Sequence, residues 1–289
     1  MKKVPKLVLA TVFALAVPVI AGCAQDESPL DNDSESGLRV SVIDVGKGDC
    51  ILLQSGKSAA LIDAGYEGTA NKVLSLMQKQ GIDQLECLVI SHYDRDHVGG
   101  VRAIGEKIPI DTVYLPGYEG SDKNYRTLIA AIRDLSLPSQ QVSKELRLEL
   151  GDATLMLLPS RVAYIPGTNG EEGNDNDLSL VASLTSGKDS YLFTGDLEKD
   201  GIAAFLDAKR GHFDVLKVPH HGQKSSYTDE LLEDVQPQIA VITDSADDPA
   251  DKKTLKLLKE NGANTYRTST SGTIVITSDG AGNYSVSTR

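Results

Sequence analysis

The sequence predicts an α/β domain made of two successive halves of alternating strands and helices, spanning residues 38–289. Three observations predict it. Short apolar runs such as Cys87-Leu88-Val89-Ile90 recur between amphipathic stretches of helical period. Loops carrying histidine or aspartate leave three of these runs directly, at residues 91–97, 194–196 and 220–221. The roughly 250 residues available are enough for one domain with a full core, and no apolar stretch after residue 23 is long enough to span a bilayer.

Ahead of the domain, Met1-Lys2-Lys3 precedes an apolar stretch from Leu7 to Val19 and then Ile20-Ala21-Gly22-Cys23. This order reads as an export signal over residues 1–22. A cysteine after Ala-Gly resembles the bacterial lipoprotein box. The resemblance implies cleavage before Cys23, lipid on its sulfur and amine, and anchoring on the extracytoplasmic side of a membrane in the cell envelope. Several acyl chains give stable anchoring where one is marginal. Residues 23–37 are acidic and polar and read as a flexible tether.

The net charge is −12, and losing Lys2, Lys3 and Lys6 with the signal takes it to −15. Such a surface does not attract a polyanion everywhere, which argues against tight nonspecific DNA binding. It leaves open phosphodiester hydrolysis at a site whose metal ions supply positive charge. No protein partner is predicted. Cys50 and Cys87 read as small buried hydrophobes, with a disulfide between them left open.

Leu38 to Asp44 alternates as a first strand, and Asp44-Val45-Gly46-Lys47-Gly48-Asp49 turns it into a second, Cys50 to Gln54. Ala59 to Asp63 is a third, and Asn71 to Gln80 an amphipathic helix stopped by Gly81. After the strand at 87–90 come His92, Asp94, Asp96 and His97, then Gly99-Gly100. Two imidazoles and two carboxylates within six residues suit zinc, manganese or iron. A strand is expected at 112–115, a helix at 123–135, and two strands joined at Gly151-Asp152 within 146–158. The long loop 159–177 is rich in Gly, Asn, Asp and Glu, as functional loops often are.

The second half repeats the plan with strands at 178–184, 191–196, 214–218 and 239–243 and helices at 198–208 and 252–261. Strands at 273–277 and 284–288 close the domain. Thr194-Gly195-Asp196 ends one strand and Val218-Pro219-His220-His221-Gly222 another. His212 lies before its strand and reads as an exposed surface residue.

The stretch His92-Tyr93-Asp94-Arg95-Asp96-His97 resembles the His-x-His-x-Asp-His motif of the metallo-β-lactamase superfamily, with aspartate at the second histidine. That variant, the Asp-Val-Gly-Lys-Gly-Asp turn and Leu216-Lys217-Val218-Pro219-His220-His221-Gly222 resemble ComEC-like competence hydrolase domains. The variant is also similar to that of surface phosphorylcholine esterases. The resemblance implies a single-domain, four-layer αββα sandwich and two divalent metal ions, zinc or manganese. It implies that His92, Asp94 and Asp196, with Asn176 or Asp177, hold one ion. Asp96, His97, His221 and Asp196 hold the other, and the roles of His220 and His221 are open to reversal. Asp196 bridges the ions, because a carboxylate offers two oxygens. Asp96 orients a water, and His220 protonates the leaving group. Asp63 is structural, accepting hydrogen bonds beneath the ions. Lys47 is either a phosphate contact or a solvated surface charge.

The implied activity is that of a metal-dependent hydrolase, most readily a phosphodiesterase or nuclease with DNA as the leading substrate. A phosphodiesterase for envelope polymers or phosphocholine esters is the alternative. A third reading is a non-catalytic binding lipoprotein with a vestigial metal site.

Overall fold

The computed structural model describes Met1, residues 37–165 and residues 174–289. The expected signal and tether, with Cys23, and the middle of the loop at 159–177 lie outside the described residues. Among the described residues, no helix is long and apolar enough to cross a membrane.

The first half forms β1 (Leu38–Val42), β2 (Ile51–Ser55), β3 (Ser58–Ile62), β4 (Cys87–Val89), β5 (Val113–Pro116) and β6 (Ser139–Val142). β1 to β3 run antiparallel, and β3 to β6 run parallel. Helices α1 (Ala70–Lys79), α2 (Arg95–Val98), α3 (Val101–Gly105) and α4 (Lys123–Asp134) lie along its connections. The second half forms β7 (Leu146–Leu150), β8 (Ala153–Leu158), β9 (Val181–Ser186), β10 (Asp189–Phe193), β11 (Val215–Lys217), β12 (Ile239–Ile242) and β13 (Asn264–Arg267). It changes in the same way, antiparallel to β10 and parallel from β10 to β13. Its helices are α5 (Lys199–Asp207), α6 (Thr228–Val235), α7 (Lys252–Glu260) and α8 (Thr268–Ser271). β14 (Ile274–Ser278) and β15 (Tyr284–Thr288) then return to the first sheet, β14 pairing with β1.

Side chains alternate across a strand, so a strand covered on both faces must be apolar at nearly every position. β2 shows this: Ile51 and Leu53 face the second sheet, and Leu52 faces the helices. In β12, Ile239 and Val241 enter the space between the sheets while Ala240 and Ile242 meet the outer helices. Three apolar layers result. One joins the first sheet to α1, α3 and α4 through Leu61, Leu88, Met77 and Ile132. One lies between the sheets, and one joins the second sheet to α5, α6 and α7 through Leu216, Phe205 and Leu258. The architecture is the expected αββα sandwich.

Some elements differ from the expectation. β6 and β13 are polar edge strands, Ser-Gln-Gln-Val and Asn-Thr-Tyr-Arg, which no apolar run announces. α6 was likewise unannounced; it is short and buries Leu231, Leu232 and Val235. The strand expected from Leu178 starts at Val181, because Asn176–Leu178 forms a 3-10 turn. Cys50 and Cys87 are buried free thiols on opposite faces of the first sheet, so no disulfide joins them.

Candidate metal centre

In open α/β sheets, ligand sites form beyond the carboxyl ends of parallel strands. The loops after β4, β10 and β11 all start there, and backbone hydrogen bonds draw the surrounding loops together. Asp49 N donates to Asp96 O at 3.2 Å, Ala64 N to His97 O at 2.7 Å, and His220 N to Gly195 O at 3.2 Å. Leu180 N donates to Ser91 O at 2.7 Å, tying one half to the other. Gly100 explains itself by close approach: a Cβ there would stand 2.2 Å from Ala64 O, inside any contact distance.

The imidazoles of His92, His97 and His221 are at most 1% exposed. Each has its Nδ1 held from behind: His92 by Ser91 Oγ at 3.0 Å, His97 by Asp63 Oδ2 at 2.8 Å, His221 by Thr243 Oγ1 at 3.0 Å. The direction of each bond follows from the hydroxyl protons. Ser91 Oγ donates to Asp63 Oδ2 at 2.6 Å, and Thr243 Oγ1 donates to Asp49 Oδ1 at 2.6 Å. Each hydroxyl therefore accepts from its histidine, and all three Nδ1 atoms carry a proton. In the neutral ring the lone pair is then on Nε2. All three Nε2 atoms are buried without a hydrogen-bond partner among the described residues. Leaving a buried polar atom unpaired costs about 1–3 kcal/mol, so three together at one point mark a ligand site.

Carboxylates complete the cluster. Asp196 Oδ2 lies 3.4 Å from His97 Nε2 and 2.9 Å from His221 Nε2, the latter off the direction a hydrogen bond needs. Asp96 Oδ2 lies 3.4 Å from His221 Nε2 and 3.9 Å from His97 Nε2, and Asp94 Oδ2 lies 3.7 Å from His92 Nε2. His92, His97 and Asp196 offer donor atoms within 4.8 Å of one another, as do Asp96, His97 and His221. His97 thus lies close to both groups of donor atoms. Imidazole nitrogen and carboxylate oxygen suit a divalent transition metal, and the outer partners are those that fix ligand tautomers. The residues present fit such ions.

Two carboxylates lie behind the cluster. Asp63 is fully buried and left-handed at φ 56°, an unfavourable conformation for a non-glycine residue. It accepts from Ser91 N, Ser91 Oγ and His97 Nδ1, the supporting position expected for it. Asp49 receives Lys217 Nζ at 2.6 Å on Oδ2. Lys217 is 1% exposed and also reaches Gly195 O at 3.0 Å and Asp196 Oδ1 at 3.4 Å. One oxygen of Asp196 thus faces a lysine, and the other faces the imidazoles. Burial works against charge at His97, yet Asp196 and Asp63 raise its pKa well above the ordinary value. Burial also raises the Asp196 carboxyl, but His221, His97 and Lys217 hold it well below its ordinary range. The cluster therefore draws in positive charge.

His220 and His221 are both left-handed, at φ 45° and 50°, which turns consecutive side chains into the cluster. His220 Nδ1 lies 3.0 Å from Glu198 Oε1, and its Nε2 lies 4.0 Å from Asp196 Oδ2. Asn176 donates Nδ2 to the same Glu198 oxygen at 3.0 Å, leaving its Oδ1 buried and without a partner among the described residues. Asp177 is committed elsewhere, because its Oδ1 accepts from Glu198 N and Gly201 N at the start of α5. Lys47 Nζ pairs with Asp248 Oδ2 at 2.6 Å. His212 is exposed, as expected.

Sequence reasoning passed over Asp49, Lys217, Glu198, Thr243 and Asp175. Burial and the nearby Asp94 carboxylate raise the pKa of Asp175. A lysine inside the apolar strand Val215-Leu216-Lys217-Val218 was the one available signal, since an unpaired lysine is almost never fully buried.

Comparison with known proteins agrees with this geometry. The chain is 28% identical over 263 residues to ComE operon protein 3 of Bacillus subtilis, covering 81% of this chain and 32% of that protein. It is 31% identical over 215 residues to Recombination protein 2 of Haemophilus influenzae, covering 73% and 24%. The chain thus spans about a third or less of these relatives. Among solved structures, the metallo-beta-lactamase fold protein YhfI from Bacillus subtilis aligns with a TM-score of 0.54 and 13% identity, over 84% of this chain and all of that one. The sequence matches the metallo-beta-lactamase superfamily over residues 43–242, which include every histidine and aspartate of the cluster, and the chain belongs to that superfamily.

Proposed function

We propose that the chain is a metal-dependent phosphodiesterase with two divalent cations. The observation that carries this reading is the convergence of the buried, unpartnered Nε2 atoms of His97 and His221 on Asp196 Oδ2 and Asp96 Oδ2, with a donor atom of His92 within 4.8 Å of His97 and Asp196. His92, Asp94 and Asp196, with Asn176, would hold one ion. Asp96, His97, His221 and Asp196 would hold the other. Zinc or manganese, when bound, supplies a water acidified toward neutrality and positive charge for the phosphoryl oxygens. His220, 3.0 Å from Glu198 and a quarter exposed, would give a proton to the leaving oxygen. Asp96 lies at the lip of the cluster, where it can accept from and orient an attacking water.

The relative named for recombination makes DNA the leading substrate. The net charge of −12 favours the second reading, an esterase for envelope polymers or phosphocholine esters. A vestigial, non-catalytic site is the third. Purified chain is expected to hold at least one transition metal by elemental analysis and, with manganese or zinc, to cleave bis-p-nitrophenyl phosphate and single-stranded DNA. Cleavage of the small ester with DNA left intact would remove the nuclease reading. Less than one metal per chain and no cleavage of either would leave the vestigial one.

The proposed location is the extracytoplasmic face of a membrane, through lipid on Cys23. Radiolabelled palmitate is expected to enter the wild-type chain and not Cys23→Ala. Equal labelling of both would rule out this anchor.

A further inference from the structure

A groove of about 400 Å³ opens between α2, α3 and α4 and the loop at 66–68, on the side of α2 away from His97. Its floor includes Val98, Val101 and Leu128, which belong to the helix-side core. Its rim carries Arg95, Lys123 and Tyr66. The Arg95 guanidinium lies 5.2 Å from the centre of the Tyr66 ring, a geometry that holds the cation at the rim. Arg102 also lines the groove, but its charge is taken by Asp134 at 2.8 Å. Arg95 and Lys123 have no carboxylate within 4.0 Å among the described residues, and Glu67 is the one acid in the lining. With Glu67 counted against Arg95 and Lys123, the groove lining is locally positive in a chain of net charge −12.

The groove adjoins the metal centre. Arg95 sits in the chain between Asp94 and Asp96. The Tyr66 ring packs beside Gly48, whose backbone lies against Asp96 O. Resting on the phosphodiesterase reading, we infer that this groove holds a nucleotide unit of a bound strand. Its phosphate lies on Arg95 and Lys123, and its sugar and base lie over the apolar floor. A cavity of this size suits one such unit. A groove of about 400 Å³ is larger than a bare phosphate or glycerol phosphate fills, and with two cations at its rim it suits a nucleotide.

The test uses the full mature chain loaded with manganese and a fluorescein-labelled phosphorothioate tetrathymidylate, which resists cleavage. Binding is read by anisotropy across a salt series. Arg95→Gln with Lys123→Gln is expected to weaken binding about tenfold or more. It should also flatten the log–log salt slope by about 0.7, the value for one phosphate neutralised on a single strand. Thr127→Glu, a like-charge change at an exposed position on the groove wall, is expected to weaken binding similarly while the fold persists. Thymidine 5′-monophosphate should compete at least tenfold better than glycerol 3-phosphate. Wild-type binding in both variants, or equal competition by the two phosphates, would overturn the groove. Hydrolysis of bis-p-nitrophenyl phosphate by the wild type is read in parallel. Its absence, with groove-dependent binding retained, counts against the phosphodiesterase reading and leaves the groove standing.

Discussion

Asp196→Ala is expected to lower kcat/KM on bis-p-nitrophenyl phosphate by roughly three orders of magnitude, with metal content falling by at least half. Removing one preorganised charged or polar group from a buried reaction centre typically costs about 10²–10³ in rate, and here the same group also belongs to the ligand set. Asp196 Oδ2 is within 3.4 Å of both His97 and His221, so its loss opens both ligand groups at once. The fold should survive. Lys217 keeps its 2.6 Å partner Asp49, and the alanine lies in a loop rather than in the strand pairing. Steady-state kinetics, elemental analysis and far-UV circular dichroism on the same preparation check all three parts. Activity within tenfold of wild type would end the case for Asp196 at the reaction centre.

Lys217→Met should give the largest loss of stability. The side chain is similar in length and fits the strand, so the change removes charge with little change in volume. It leaves Asp49 and Asp196 buried at 1% and 2% exposure without their cation. Breaking a buried ion pair from one side typically costs about 3–5 kcal/mol. Urea denaturation of metal-free protein should show a loss of that size. Adding Asp49→Asn should recover part of it, because the two side chains share one interaction. A loss below about 1 kcal/mol would mean that the lysine is not needed to balance the buried acids.

The sequence exposed the sandwich because central strands covered on both faces are written as unbroken apolar runs, such as Cys87-Leu88-Val89-Ile90. It hid β6 and β13 because edge strands need few apolar side chains, here Val142 and Tyr266 reaching the core from strands that are otherwise polar. At the metal centre, His92, Asp94, Asp96 and His97 are adjacent in the chain and could be read together. The groups behind them could not. Asp49 and Thr243 are 194 residues apart and meet through one hydrogen bond that no local pattern encodes. Asn176 and Asp177 were equivalent neighbours in sequence. A 3-10 turn separates their roles by sending Asp177 to α5 and Asn176 to Glu198.

The two cysteines of the described domain carry a consequence for redox behaviour. Cys87 has its pKa pushed by burial to about 12, and burial pushes Cys50 well above its ordinary value. Only the thiolate attacks disulfides or is readily oxidised, and neither thiol supplies it at neutral pH. Lying on opposite faces of one sheet, they cannot meet without unfolding. The domain described is thereby indifferent to the redox state of its surroundings, and its refolding requires no disulfide oxidase or disulfide isomerase.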